Sequence, residues 1–300
     1  MTENQRIQYF LFSFVGAIID RPLCTIGLYG GELVHTDNIE FLYKIWYTFN
    51  QGRGCIMTVF LTSHIGGSIR KDGQRIPSSL ITGNNLVTNL KYRWPKGAKV
   101  LFVAADPNNI EKSESYRNAF LYAFPFHGMP IETYAICDCR NKSAAMQLAN
   151  YNVIILSGGH VPTQNTFFQK IGLKDKLNNY DGIVIGISAG TMNCADIVYA
   201  HPELDGEAID SKYQRFIPGL GLTKRMILPH YQMIKDNMLD NLRVFEDIAY
   251  PDSIGREFYA LNDGSYILSE NGIETLYGEA YRIKDGDISL ICRNNETLIL

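Results

Sequence analysis

Residues 181–190 read Asp-Gly-Ile-Val-Ile-Gly-Ile-Ser-Ala-Gly, and few stretches restrict a fold more tightly. Ile183, Val184, Ile185 and Ile187 form a β-branched apolar run of strand length, which the Gly186-Ile-Ser188-Ala-Gly190 sequence ends abruptly. Read as Gly-x-Ser-x-Gly, this is a nucleophile elbow, a sharp strand-to-helix turn that pushes a strained serine into the open. The flanking glycines let neighbouring elements pass close by. Thr191 to Val198 then reads as the following helix, its N-terminal N–H groups aimed at any oxyanion formed at Ser188. The same five residues also fit a plain strand, glycine turn and helix.

A serine hydroxyl needs a base to become a nucleophile. Of the chain's 6 histidines, His230 is the best placed. It follows the short apolar run Met226-Ile-Leu-Pro229, at a strand's carboxyl end, the edge of a parallel sheet where Ser188 also sits. A second anchor is Ser157-Gly-Gly-His160-Val-Pro-Thr-Gln-Asn165, after the apolar strand Val153–Leu156. Its paired glycines can turn backbone N–H groups toward a reacting carbonyl, and with the Ala189 N–H they make a two-donor oxyanion hole. The alternative is a tight turn in which glycine relieves strain.

The rest of the chain supplies a frame for such a turn. Thr58–Thr62, Lys99–Ala105, Ile131–Ile136, Val153–Leu156 and Ile183–Ile187 are apolar strands, and helical patterns over Leu86–Tyr92, Ser113–Phe124, Ala144–Asn150 and Gln164–Leu177 intervene. Strands apolar throughout and alternating with helices indicate a parallel sheet covered on both faces, an α/β three-layer sandwich. Ser63-His-Ile-Gly-Gly-Ser68 reads as a βα turn, or as a glycine loop presenting N–H groups to a ligand. Asp236–Ala249 has the spacing of an amphipathic helix, with Met238, Leu242, Phe245 and Ile248 on one face. Beyond it, Asn262-Asp-Gly264, Asn271-Gly272 and Asp285-Gly286 are hairpin signals, so the chain closes as an antiparallel extension on one edge of the parallel sheet.

Residues 1–56 carry no chemistry. Ile7–Ile19 is apolar but shorter than the roughly 20 residues of a membrane-spanning helix, and no Ala-x-Ala cleavage site follows. Gly27–Gly31 suggests a turn and Asn38–Asn50 one helix. The segment reads as an N-terminal extension ahead of a domain spanning 57–300, with Met57 as a candidate natural start. A net charge of −3 gives no pull toward nucleic acid or anionic membrane. The 6 cysteines follow neither a disulfide framework nor a zinc spacing, which fits reduced thiols in a cytoplasm.

These motifs, in this order, resemble the aspartyl dipeptidase (peptidase E) and cyanophycinase family of serine peptidases, whose fold is like that of the class I glutamine amidotransferases. The resemblance rests on Ser157-Gly-Gly159 with Pro162-Thr-Gln-Asn165, on Gly186-Ile-Ser-Ala-Gly190, on Leu228-Pro-His-Tyr231, and on Leu261-Asn-Asp-Gly-Ser265, similar to a late hairpin. It implies Ser188 as nucleophile and His230 as general base, with Gly158 or Gly159 and Ala189 holding the oxyanion. It further implies an acid in the loop after the elbow helix, where the family's spacing favours Glu203 and where Glu207 and Asp205 stand as alternatives. Serine rather than cysteine at the elbow implies peptide hydrolysis through an acyl-enzyme, without metal or organic cofactor. The implied substrates are small peptides, with N-terminal Asp as the specific candidate. His160, Asn165, Arg117 and Arg70 are candidate substrate contacts, and the state of assembly, a homodimer included, is left open. Two other readings compete: an amidotransferase-like ligand-binding domain with a silent Ser188, and an α/β-hydrolase esterase. The second fits poorly, because only one helix, a loop and one strand fit between Ser188 and His230 and an early His-Gly-Gly-Gly motif is missing.

Overall fold

The computed structural model describes residues 57–300, so the readings made for residues 1–56 lie outside the described residues. In chain order the strands are β1 (Thr58–Thr62), β2 (Gly66–Lys71), β3 (Gln74–Leu80), β4 (Ala98–Val103), β5 (Ile131–Cys137), β6 (Val153–Leu156) and β7 (Ile183–Ile187). There follow β8 (Ile197–Tyr199), β9 (Phe216–Pro218), β10 (Met226–Leu228), β11 (Met238–Leu239), β12 (Leu242–Arg243), β13 (Glu257–Leu261), β14 (Tyr266–Glu270), β15 (Ile273–Tyr277), β16 (Ala280–Lys284), β17 (Asp287–Cys292) and β18 (Thr297–Ile299).

An eight-stranded sheet in the order β18-β15-β14-β1-β7-β6-β4-β5 forms the centre. The strands from β1 to β5 in that order pair in parallel, and β14, β15 and β18 add an antiparallel edge. Alternation along each strand explains why both faces need cover. Val59, Leu61, Leu101, Val103, Ile154, Leu156 and Val184 pack on one face, against Phe167, Phe168, Leu173 and Leu177. Phe60, Val100, Phe102, Val153, Ile155, Ile183 and Ile185 pack on the other, against Leu86, Leu90, Phe120 and Phe124. The three layers and the antiparallel edge are those expected from the sequence.

Several elements differ in detail. The loop after β1 leads into the β2–β3 hairpin rather than a helix. The expected Gln164–Leu177 helix is two, Val161–Lys170 and Leu173–Leu177, parted at Gly172, whose φ of 60° breaks the helical path. The elbow helix is a single turn, Ala189–Met192, and its expected continuation becomes β8. Where an amphipathic helix over Asp236–Ala249 is expected, Asp240 and Asn241 take left-handed φ values of 51° and 63°. That pair of positive angles is the signature of a two-residue hairpin turn. It joins β11 to β12, and only Val244–Ala249 is helical, as a π-type turn.

The largest departure is a second sheet, β10-β13-β16-β17. β10, which delivers His230, pairs in parallel with β13 rather than joining the central sheet. Accordingly, β13 and β14 lie in different sheets, so Asn262-Asp263-Gly264 is a crossover between sheets and not the tip of a hairpin. Asn271-Gly272 and Asp285-Gly286 do turn hairpins, β14–β15 and β16–β17.

Candidate active site

The elbow is built as its glycines require. A Cβ on Gly186 would lie 2.9 Å from Thr191 Cα, and one on Gly190 would fall on the Leu156 carbonyl. Ser188 sits between them at φ 53° and ψ −115°, a conformation an L-residue adopts only when its surroundings impose it. The end of β1 imposes it. The Ser188 N–H donates to Thr62 O at 3.1 Å, Thr191 Oγ1 donates to the same oxygen at 2.7 Å, and Thr62 Oγ1 donates to Gly186 O at 2.6 Å.

His230 is held in a similar way. It follows Pro229 at the end of β10 with φ 61°, and its N–H donates to Ser63 Oγ at 2.8 Å. Its ring completes a chain of contacts. His230 Nε2 lies 2.9 Å from Ser188 Oγ, and His230 Nδ1 lies 2.6 Å from Asp263 Oδ1. Ser63 Oγ also reaches Asp263 Oδ1, at 2.9 Å, so one hydroxyl fixes the backbone of the base and the carboxylate behind it. Burial disfavours the charge on Asp263, but the hydrogen bonds from His230 and Ser63 and the nearby imidazoles outweigh it and hold the carboxyl below its usual range. His64, whose ring centroid is 6.1 Å from that of His230, has its pKa lowered, chiefly by burial, so it adds no charge near neutrality.

The acid behind the imidazole is therefore Asp263, and the expected Glu203, Glu207 and Asp205 are corrected by the geometry. Glu207 is occupied elsewhere: its Oε1 pairs with His160 Nε2 at 2.8 Å, and its Oε2 accepts the N–H groups of Glu203 and Leu204 at 2.9 and 3.0 Å. Asp240 fastens the same loop by accepting the N–H groups of Gly206 and Ala208 at 2.8 and 3.0 Å. These ties hold the 203–207 loop away from His230 Nδ1, with Asp205 exposed on it. Glu203 does reach the site by another route, for it lines the same cavity as Ser188 and His230. That cavity, of about 300 Å³, has a largely apolar wall of Met192, Leu228, Ile234, Met238, Leu239 and Val244.

Of the two candidate oxyanion glycines, Gly158 is the one beside the serine, since a Cβ there would lie 3.3 Å from Ser188 Cβ. A Cβ on Gly159 would instead meet Ala105 Cβ at 2.5 Å, which makes that glycine a packing requirement. Ala189 opens the single helical turn after Ser188, so its N–H has no partner within the helix. The proposed substrate contacts separate too. Asn165 is buried and donates to Asn193 Oδ1 and Pro218 O, both at 2.9 Å, which marks it as structural. Arg117 is exposed and faces Glu114 at 3.6 Å along its own helix. His160 joins the turn through Thr163 Oγ1, at 2.8 Å, and Glu207. Two residues not foreseen, Lys112 and Tyr116, border the Gly158–Gly159 turn, with Lys112 Nζ 3.4 Å from the Cβ position of Gly159 and the Tyr116 hydroxyl 3.7 Å from that of Gly158. The Arg75 guanidinium lies over the Tyr116 ring at 4.0 Å.

A serine hydroxyl, imidazole and carboxylate linked in this order can carry out acyl transfer. The model of peptidase family S51 matches residues 83–276, well over half of the chain. The chain belongs to peptidase family S51. It is a serine peptidase of that family. No curated protein matches it. Among solved structures, a peptidase from an acI-B1 Actinobacterium superposes with a TM-score of 0.57 at 13% identity, covering 83% of this chain and 100% of that one, which supports the fold. A candidate peptidase E protein from Listeria monocytogenes EGD-e gives 0.47 at 16% identity, over 72% and 95% of the two chains.

Proposed function

We propose that this S51 peptidase hydrolyses small peptides through a Ser188–His230–Asp263 triad, with N-terminal Asp as the preferred first residue. The observation that carries this reading is the continuous contact from Ser188 Oγ through both ring nitrogens of His230 to Asp263, at 2.9 and 2.6 Å. Asp263 accepts a hydrogen bond from the Nδ1–H, which leaves Nε2 free to take the hydroxyl proton as Ser188 attacks the scissile carbonyl. The oxyanion that forms faces the N–H groups of Ala189 and Gly158. His230 then passes its proton to the leaving amine, and water, activated by the same imidazole, resolves the acyl-enzyme. A basic cluster of Lys112, Arg75 and Arg70 next to the Gly158–Gly159 turn suits an acidic side chain on the residue that is cleaved. Burial and these two arginines together lower the pKa of Lys112. The described cysteines are free thiols, three of them buried, which fits a reducing cytoplasm. No helix among the described residues is long and apolar enough to cross a membrane.

The test is turnover of a panel of Asp-Xaa and unrelated dipeptides, together with fluorophosphonate labelling, for wild type and Ser188→Ala. Turnover and labelling should both vanish in the variant. A wild-type serine that neither labels nor turns over any peptide would point instead to a ligand-binding domain.

A further inference from the structure

Ser63, one residue past β1, is wholly buried, and its hydroxyl is engaged as both acceptor and donor. The oxygen accepts the His230 N–H at 2.8 Å, while the proton has two acceptors within reach, Asp263 Oδ1 at 2.9 Å and Leu261 O at 3.3 Å. The carboxylate is nearer and carries charge, so the hydroxyl donates there. Asp263 Oδ1 is also the oxygen that faces His230 Nδ1, at 2.6 Å. One carboxylate oxygen therefore takes two donors, and the hydroxyl among them is anchored by the backbone of the histidine that supplies the other.

We propose that Ser63 is a positioning residue for the reaction: its hydroxyl closes a ring of three hydrogen bonds with His230 and Asp263 that aims the imidazole at Ser188 and sets how strongly Asp263 draws on Nδ1–H. The inference rests on Ser188, His230 and Asp263 being the reacting set, and Ser63 itself touches no reacting atom. Two weaknesses in that set explain the need for it. His230 lies between the end of β10 at Leu228 and the helical turn that opens at Tyr231, so neither element gives its N–H a partner, and Ser63 supplies one at the strained φ of 61°. The Asp263 N–H donates to Gln232 Oε1 at 3.0 Å, but that bond holds the backbone and not the carboxylate. With the Asp263 side chain 21% exposed, a carboxylate without the Ser63 donor can turn its charge toward water. The titratable neighbours of the pair are His64, kept neutral chiefly by burial, with Arg75 beyond it, and Glu203 in the cavity shared with Ser188. Removing the hydroxyl leaves Oδ1 a stronger acceptor for Nδ1–H, which favours the imidazolium and moves the acid limb of activity to higher pH.

The experiment follows acylation of Ser188 by a fluorophosphonate, as a function of pH, in wild type, Ser63→Ala, Ser63→Cys, Asp263→Asn and Ser63→Ala combined with Asp263→Asn. The rate constant of labelling belongs to the folded molecules, so protein lost to misfolding lowers the amplitude alone. Ser63→Ala should slow acylation about 10- to 100-fold, the effect of losing a hydrogen bond to a charged group, and should raise the midpoint of the acid limb. Ser63→Cys keeps the size with a weaker donor and acceptor, so it should fall between, and it carries the comparison if Ser63→Ala does not fold. Because Ser63 acts through Asp263, the double variant should lose less than the product of the two single losses. A rate constant and acid limb that stay in place while the thermal midpoint falls would make Ser63 merely structural and overturn the proposal, as would losses that multiply in the double variant. The two readings fail separately. If Asp263→Asn labels like wild type, the triad is wrong; if Asp263→Asn is slow while both Ser63 variants label like wild type, only the role of Ser63 fails.

Discussion

Replacing Asp263 by Asn changes almost nothing in size and nearly everything in proton placement. In the native site, Asp263 Oδ1 lies 2.6 Å from His230 Nδ1 and 2.9 Å from Ser63 Oγ, so the carboxylate fixes the tautomer that leaves Nε2 as the acceptor for the Ser188 proton. An amide can offer its NH2 to Nδ1 instead, which moves the ring proton to Nε2 and leaves Ser188 facing a donor. In serine peptidases whose fold is unrelated, this change costs about four orders of magnitude in kcat. Because the serine, the elbow and the oxyanion donors stay in place, we expect a loss of about 10³- to 10⁴-fold here, with residual activity above the water rate. The assay is the second-order rate of Ser188 acylation by a fluorophosphonate at neutral pH, which needs no knowledge of the natural peptide. Glu203→Gln serves as the contrast: it should leave acylation close to wild type, since the partners of His230 are Ser188, Asp263 and Ser63 and not Glu203. Acylation of Asp263→Asn within tenfold of wild type would refute the assignment of Asp263. Loss of acylation in Glu203→Gln would return the third triad position to the loop after the elbow.

Two further outcomes follow from packing and charge. Gly159→Ala places a methyl 2.5 Å from the Cβ of the buried Ala105, and overpacking of this kind costs about 1–3 kcal/mol. Its thermal midpoint should fall by several degrees, whereas an unchanged midpoint would show that the turn can yield. Glu203→Gln should raise stability at pH 8 relative to pH 5. The surrounding protein and then the Glu207 charge push the folded carboxyl up to about 7, above the ordinary value of 4.5, so between these values the native state binds more protons and loses stability as the pH rises. The open cavity screens part of this, so the measurement is the sign of the difference between thermal midpoints at the two pH values. A stabilisation larger at pH 5 would contradict the raised pKa.

The serine and its base are legible in the sequence because their signals are local. Gly186 and Gly190 are demanded by atoms a few residues or one strand away, and an apolar strand running into such a turn announces itself. His230 is legible by its strand end, although the strand belongs to the second sheet and not to the central one. Asp263 is not legible in this way. Asn262-Asp-Gly264 has turn residues that serve a hairpin and a crossover equally well, and only the pairing of β13 with β10 and β16, and of β14 with β1 and β15, decides between them. Read as a hairpin tip, it points its aspartate at solvent; as a crossover, it points it at the His230 imidazole. The amphipathic pattern over Asp236–Ala249 fails for a related reason. Apolar residues spaced for a helix also suit a hairpin followed by one helical turn, and the deciding feature is the left-handed pair Asp240–Asn241, for which aspartate and asparagine are well suited.

The strain at this site and its relief have a single source. Ser188 and His230 both hold positive φ, at 53° and 61°, and such conformations cost on the order of 1–3 kcal/mol each and persist only where the surroundings over-determine them. The two residues come from different sheets, yet consecutive residues at the end of β1 restrain both: Thr62 through its carbonyl and hydroxyl at the elbow, Ser63 through its hydroxyl at His230 and Asp263. Neighbouring side chains on a strand point to opposite faces, so Thr62 and Ser63 can serve a partner on either side of the strand end. The S51 match begins at residue 83, beyond both of them. Ser188, His230 and Asp263 thus lie inside the matched stretch, while the pair that restrains them lies outside it, at the end of a strand whose sequence, Thr-Val-Phe-Leu-Thr-Ser, carries no signature of its own. Registration of β1 between β7 and β14 is what turns two strained residues from separate sheets into one site.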